Sequence, residues 1–400
     1  MLRQRVIQRM AYSSLGDVVK SIANRWVIEN FIESCAEPPR KRALLAYLVA
    51  PLLPPRPFRD RIVFSNHGLA QEMAHALNEL GYAVDIVNYD NARWKVTKVY
   101  ELFIGHGGHQ YARLSKGIQA PKLYFSTGTY WRMANLREAE RLHALALRTG
   151  YLLPPDRGVD EDEEVANRLA DGIICLGNAR AAESYAGFRI VTHLNNGAFP
   201  LEPRPQKPHR ETRASFLFFA GRGNVHKGLD LLLEAFEGSS AELHICQHID
   251  PAFKRIYRRH LYNLPNVHLH GFVRMRSRAF REIVDQCSWV ILPTCSEGQP
   301  GSVIECMAYG LIPILPPAAN MDLGEFGIPL PDCRIDAIRA VVEVCRQMSV
   351  EECRWRTERV LNEVDEHYLA PRFRQGFKLA IEACLRASVP AASPGAWSTK

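Results

Sequence analysis

Short apolar runs alternate with segments whose apolar residues recur at helical spacing along most of this chain. A run of four to six apolar residues has the length of a buried strand, and an i, i+3, i+4, i+7 pattern marks one face of a helix. In the first half, strand candidates lie within ALLAYLVAPLL, ELFIG, KLYFST, GIICLGN and RIVTHL. Between them, Ala70, Met73, Ala74, Leu77 and Leu80 share a helical face that Gly81 ends. In the second half, SFLFFA, ELHICQ, NVHLHGF and WVILP alternate with helix-compatible stretches such as DPAFKRIYRRHL and SRAFREIVDQC. Leu229, Leu232, Leu233 and Phe236 are helical core positions and carry no chemistry of their own. Repeated strand–helix alternation predicts an α/β protein with parallel, doubly wound sheets.

The alternation breaks at PLEPRPQKPHRETRAS, where four prolines fall within residues 200–208. Proline removes a backbone donor and continues neither helix nor central strand. The chain therefore reads as a basic amino-terminal extension (1–40), a Rossmann-like domain (41–199), a proline-rich linker (200–213) and a second Rossmann-like domain (214–365). A carboxyl-terminal helix (366–386) and a disordered tail (387–400) follow. In the extension, Val18, Val19, Ile22, Trp26 and Phe31 lie on one helical face ahead of Arg40, Lys41 and Arg42.

Composition changes this picture little. The 47% of hydrophobic and 23% of charged residues are an ordinary globular balance over 400 residues, enough for two cores. No run reaches the ~18 apolar residues of a membrane span, and the start lacks the apolar core of a secretory signal. Ten cysteines without a CxxC read as reduced thiols of a cytoplasmic protein. Of the net +7, residues 1–60 carry ten Lys/Arg against five Asp/Glu, or +5. With Trp26, that excess raises peripheral attachment to an anionic membrane face as an alternative to plain packing of the extension on its domain. No nucleic-acid-binding module accompanies the charge.

Candidate chemistry concentrates in TCSEGQPGSVIECMAYG. Glu297 follows a strand, and Glu305 lies in the next helix, eight positions on, with Gly298, Gln299, Pro300, Gly301 and Ser302 between them. In an open parallel sheet, ligands bind outside the carboxyl ends of strands, and a helix amino terminus there offers N–H groups to an anion. Two carboxylates flanking such a nest suit the hydroxyls of a nucleotide-sugar, and the nest itself suits the diphosphate. The segment SFLFFAGRGNVHKG adds Gly221, then Arg222 and Lys227 in a strand-to-helix loop, a forked and a point cation for the same anion.

Together these blocks resemble the retaining glycosyltransferases of the GT-B fold, specifically family four, also called group one, over roughly residues 214–330. The resemblance implies two Rossmann-like domains facing a cleft, with the carboxyl-terminal helix crossing back to the first domain. It implies that Arg222 and Lys227 hold the leaving diphosphate, that Glu297 orients the sugar and that Glu305 holds the ribose. No metal or other cofactor is then required. The partners would be a nucleotide-sugar donor and a saccharide or lipid-linked acceptor.

Three loops close strands on the side facing the expected cleft: Ser65, Asn66, His67 and Gly68; Gly105 to His109; and Thr127 to Trp131. Asn66, His67, Gly68, His106, His109, Thr127 and Trp131 are the acceptor-side candidates. His106-x2-His109 lacks a clear third ligand for a metal. Many members of the resembled family carry a histidine after the strand equivalent to KLYFS, where this chain has Thr127, Gly128 and Thr129; His106 or His109 is the candidate replacement. The expected activity is retaining transfer of a hexosyl group to an acceptor hydroxyl in bacterial-type polysaccharide or glycoconjugate synthesis. A catalytically silent nucleotide-sugar-binding subunit and a sugar-nucleotide epimerase are the alternatives.

Overall fold

The computed structural model describes residues 25–33, 37–53, 66–159 and 163–388. Two parallel sheets organise it, as the alternation predicts. The first has seven strands: β1 (Val27–Phe31), β2 (Lys41–Tyr47), β3 (Tyr82–Asn88), β4 (Leu102–Gly105), β5 (Lys122–Ser126), β6 (Gly172–Leu176) and β7 (Val191–Leu194), in the order β1-β3-β2-β4-β5-β6-β7. The second has six: β8 (Ser215–Phe219), β9 (Glu242–Cys246), β10 (Val267–Leu269), β11 (Trp289–Ile291), β12 (Ile312–Leu315) and β13 (Ile328–Pro329), in the order β10-β9-β8-β11-β12-β13. Only β1 runs antiparallel to its neighbour.

Strand order reverses between β2 and β4 in the first sheet and between β8 and β11 in the second. Helices leave opposite faces at such a point, so a crevice opens at the strands' carboxyl ends. The loop after β4 holds His106, the loop after β8 holds Arg222 and Lys227, and the loop after β11 holds Glu297.

The amino-terminal extension departs from expectation. Residues 1–24 lie outside the described part, but Val27–Phe31 is a strand rather than the end of a helix. Asn30 has φ +53°, a left-handed conformation that interrupts any helix, and its N–H donates to Asp85 Oδ1 at 2.9 Å. The segment thereby covers the free edge of β3. Lys41 and Arg42 open β2, so most of the basic triplet is sheet. The expected tail falls, from residue 389 on, outside the described residues.

Two helices tie the domains together. The first, Trp131–Thr149, begins in the first domain, but Leu142 and Leu145 pack into the core of the second. Its Arg148 bonds Asp230 at 2.5 Å and Glu234 at 3.2 Å, and Arg141 donates to the Pro293 carbonyl at 3.0 Å. The second, Ala370–Ser388, returns from the far end of the chain to pack on β6, β7 and the helix Asn66–Glu79. Phe373, Phe377, Ile381 and Cys384 complete the first domain's core, and Arg374 pairs with Glu72 and Glu79 on that helix. No described helix is long and apolar enough to cross a membrane. All nine described cysteines are free thiols.

Phe377 is fully buried and meets the Phe125 ring edge-on at 5.8 Å. Phe377→Ala should therefore destabilise the first domain by about 3–5 kcal/mol, although the residue lies in the last helix. Urea unfolding checks this; a change below about 1 kcal/mol would show that the helix is not part of that core.

Candidate active site

The loop after β8 is shaped by close approaches. Gly228 has φ +82°, and a Cβ there would lie 2.4 Å from the Pro293 carbonyl oxygen. Asn224, buried, donates to Gln247 at 2.6 Å and to the His248 carbonyl at 3.0 Å. This bracing leaves Arg222 exposed at the loop's crest and buries Lys227 against Glu297. The Lys227 ammonium and the Glu297 carboxylate are in direct contact, and Thr294 Oγ1 donates to the same carboxylate oxygen at 3.0 Å. Burial pushes the Glu297 carboxyl up, but Lys227, with His226 and Arg157, holds it below the usual carboxylate range.

Glu297 also anchors the loop through its backbone. Its carbonyl accepts from Thr129 Oγ1 at 2.7 Å and from Asn320 Nδ2 at 2.6 Å. A Cβ on Gly298 would stand 2.3 Å from the Thr127 carbonyl oxygen, so only glycine lets the two domains meet here. Gln299 accepts from the Asn196 N–H at 2.7 Å and donates to Asn195 at 2.9 Å. Pro300 precedes the helix Gly301–Ala308 without a side-chain cap, leaving the first N–H groups, at Gly301 and Ser302, without an intrahelical partner.

Glu305 differs from expectation. Its side chain is fully buried, and both oxygens are taken by Arg276, with Nη2 to Oε2 at 3.3 Å. Arg276 has φ +57° and also donates to the Phe199 carbonyl at 2.5 Å and the Pro200 carbonyl at 3.3 Å, which ties Glu305 to the interdomain linker. Glu305 is thus not an open carboxylate awaiting a ribose. Burial pushes its carboxyl up, opposed by Arg276.

Of the acceptor-side candidates, His106, Thr127 and Trp131 line the interdomain cleft together with Glu297 and Gly298. His106 Nδ1 lies 2.9 Å from the Phe125 carbonyl and donates to it, which leaves Nε2 for another partner. The Trp131 indole N–H is shielded and has no partner among the described residues. Asn66, His67 and Gly68 are not among the residues that line this space. They form the first turn of the helix Asn66–Glu79 rather than a loop before it, and Ser65 lies outside the described residues. His109 sits exposed on the helix Gly108–Ser115 and is not among the residues that line this space. Among the described residues no group of three or more His, Cys, Asp or Glu can hold a metal ion.

Three further residues belong to the site. His226 and Arg157 line the cleft, and buried Glu138 stands behind them. Glu138 Oε1 lies 3.5 Å from His226 Nδ1, an ion pair rather than a hydrogen bond, and accepts from the N–H groups of Asp156 at 3.0 Å and Arg157 at 2.8 Å. Burial lowers the His226 pKa, but Cys295 and Glu138, with Glu297, raise it to about 9. The signals were faint. His226 is one letter before Lys227, and Arg157 sits in Pro-Pro-Asp-Arg-Gly, which reads as an ordinary turn.

Two Rossmann-like domains facing a cleft make up the GT-B fold. Residues 214–343, within the second domain, match the family described as glycosyl transferases group 1. No curated protein matches the chain in sequence. Among solved structures, it is similar to sucrose-phosphate synthase from Thermosynechococcus elongatus at 13% identity and TM-score 0.60, covering 88% of this chain and 100% of that one. It is also similar to HepE of Anabaena in complex with UDP at 13% identity and TM-score 0.56, covering 86% and 100%. Against TarM it reaches TM-score 0.48 at 15% identity and spans 54% of that chain's length. At these identities the likeness is one of fold.

Two outcomes follow from the charges. His226 has a folded pKa near 9 against about 6.5 unfolded, so its contribution is fully present below about pH 6.5 and is lost as pH rises through 9. Urea melts at pH 7 and 9.5 should show that decline, and His226→Gln should flatten it; an equal decline in both proteins refutes the assignment. Glu305→Gln leaves Arg276 half-buried beside a neutral partner, and should cost about 3 kcal/mol of stability in the same assay.

Proposed function

We propose that the protein is a retaining glycosyltransferase that moves a hexosyl group from a nucleoside diphosphate sugar to an acceptor hydroxyl, in synthesis of a surface polysaccharide or glycoconjugate. The observation that carries this reading is the Lys227–Glu297 contact at the β8–β11 switch point, with Arg222 exposed in the same loop as Lys227 and Glu297 facing the His106 and Thr127–Thr129 loops of the other domain across the cleft. The group 1 match of residues 214–343 supports it. So does the fold shared with HepE, a protein solved with UDP and glucose.

In this reading the diphosphate lies between the Arg222–Lys227 loop and the amino terminus of the helix Gly301–Ala308. Lys227 already touches Glu297, and an ammonium has three donors, so it can serve carboxylate and phosphate together. As the anomeric C–O bond breaks, negative charge grows on the departing phosphate, where fixed cations lower the barrier most. The acceptor oxygen attacks from the same face, and its proton passes to the departing phosphate, so no protein base and no metal is needed. Glu297, held ionised, accepts hydrogen bonds from sugar hydroxyls. His106 Nε2 and the Trp131 ring orient the acceptor. With Glu305 engaged by Arg276, the ribose meets a neutralised pair.

Incubation with UDP-, GDP-, ADP- and dTDP-sugars and a panel of saccharide acceptors, followed by mass spectrometry, tests for transfer; NMR of the product reads the anomeric configuration. Inversion would overturn the retaining assignment, and hydrolysis or epimerisation alone would overturn transfer. Arg222→Ala should weaken nucleoside diphosphate binding by about 1.5–3 kcal/mol in calorimetry. Glu297→Gln should lower kcat far more than it alters diphosphate affinity; full turnover in that variant removes Glu297 from the sugar site.

A further inference from the structure

Arg157 belongs to the segment after the helix Trp131–Thr149, on the first domain's side of the cleft, yet its stem lies across the second domain's phosphate loop. A Cβ on Gly223 would stand 2.6 Å from Arg157 Cγ. Gly223 therefore serves two needs at once: its φ of +98° disfavours any side chain, and its bare surface gives Arg157 a track between Arg222 and His226. Asp156 stands beside the same loop, where the Asn224 and Val225 backbone N–H groups oppose the rise that burial imposes on its carboxyl.

The backbone of this segment is pinned from behind by Glu138, 2% exposed, through the Asp156 and Arg157 N–H groups. The side chain, by contrast, is exposed, lines the cleft with Glu297 and Gly298, and helps hold the Glu297 carboxyl below its usual range. Its guanidinium makes no hydrogen bond or ion pair among the described residues. An arginine whose backbone is fixed, whose stem is seated and whose charged fork is unpaired in a cleft has the form of an anion ligand.

We infer that Arg157 is a third cation for the donor diphosphate, supplied by the opposite domain across Gly223. This rests on the donor-site reading of Arg222 and Lys227 and adds a consequence to it: the full positive charge is assembled only while the Asp156–Arg157 segment is docked on the loop. Domain closure and stabilisation of the leaving group are then one event.

Calorimetry on the full chain tests it, with UDP, GDP, ADP and dTDP as probes and the matching unphosphorylated nucleoside as control. Arg157→Ala should weaken binding of the preferred nucleoside diphosphate about tenfold or more and leave nucleoside binding unchanged; Arg157→Lys should recover part of the loss. Diphosphate affinity within twofold of wild type overturns the inference. So does an equal loss for nucleoside and diphosphate, which marks a structural role, and so does an effect confined to KM for an anionic acceptor. Arg222→Ala, run in parallel, separates the failures. If it weakens binding while Arg157→Ala does not, the donor site stands and the third cation falls; if wild type binds none of the four diphosphates, both fall.

Discussion

The contact between the backbone of Gly298 and that of Thr127 is the constraint on which the cleft depends. It brings a loop of the second domain within touching distance of a loop of the first, at a separation where no side chain fits. Thr129 and Asn320 then share the Glu297 carbonyl, and Asn195 and Asn196 hold Gln299. Backbone geometry, rather than any single strong bond, thus sets the direction of the Glu297 carboxylate. Once that carboxylate is placed, Lys227 has a partner and a fixed position.

Charge in the site is layered. Lys227 and Glu297 neutralise one another in a nearly dry setting, where an unpaired ion would be expensive. Behind them His226 and Glu138 form a second pair, with one member from each domain. In front, Arg222 and Arg157 are exposed. Paired charges thus shape the wall, and exposed arginines remain for an anionic ligand. The Arg276–Glu305 pair follows the same logic at the linker, where a buried carboxylate holds the guanidinium that grips two linker carbonyls.

Much of this was legible in the sequence, for definite reasons. The parallel sheets announce themselves because β11 and β8 are buried on both faces and read as unbroken apolar runs. Arg222, Lys227 and Glu297 were readable because each follows such a run by a few residues. What stayed hidden depends on contacts between distant segments. Leu142 and Leu145 carry the same helical spacing whether they face their own domain or the other. The partner of Glu305 lies 29 positions away at Arg276, and nothing local announces it. The extension misled because Val18 to Phe31 has helical spacing, while the left-handed Asn30 and the open edge of β3 favour a strand. His109 shares a glycine-rich stretch with His106, but the helix begins between them and His109 lies exposed on it.

The returning helix Ala370–Ser388 has a consequence for synthesis on the ribosome. The first domain's strands emerge early, but Phe373, Phe377, Ile381 and Cys384 are made only after the whole second domain. Until then β6, β7 and the helix Asn66–Glu79 expose the apolar surface that these residues cover. The second domain closes its own sheet from contiguous sequence and can fold as a unit while the first waits. The nascent chain therefore completes its domains in the reverse of the order in which it begins them, and the half-finished first domain is the stage most in need of protection from aggregation.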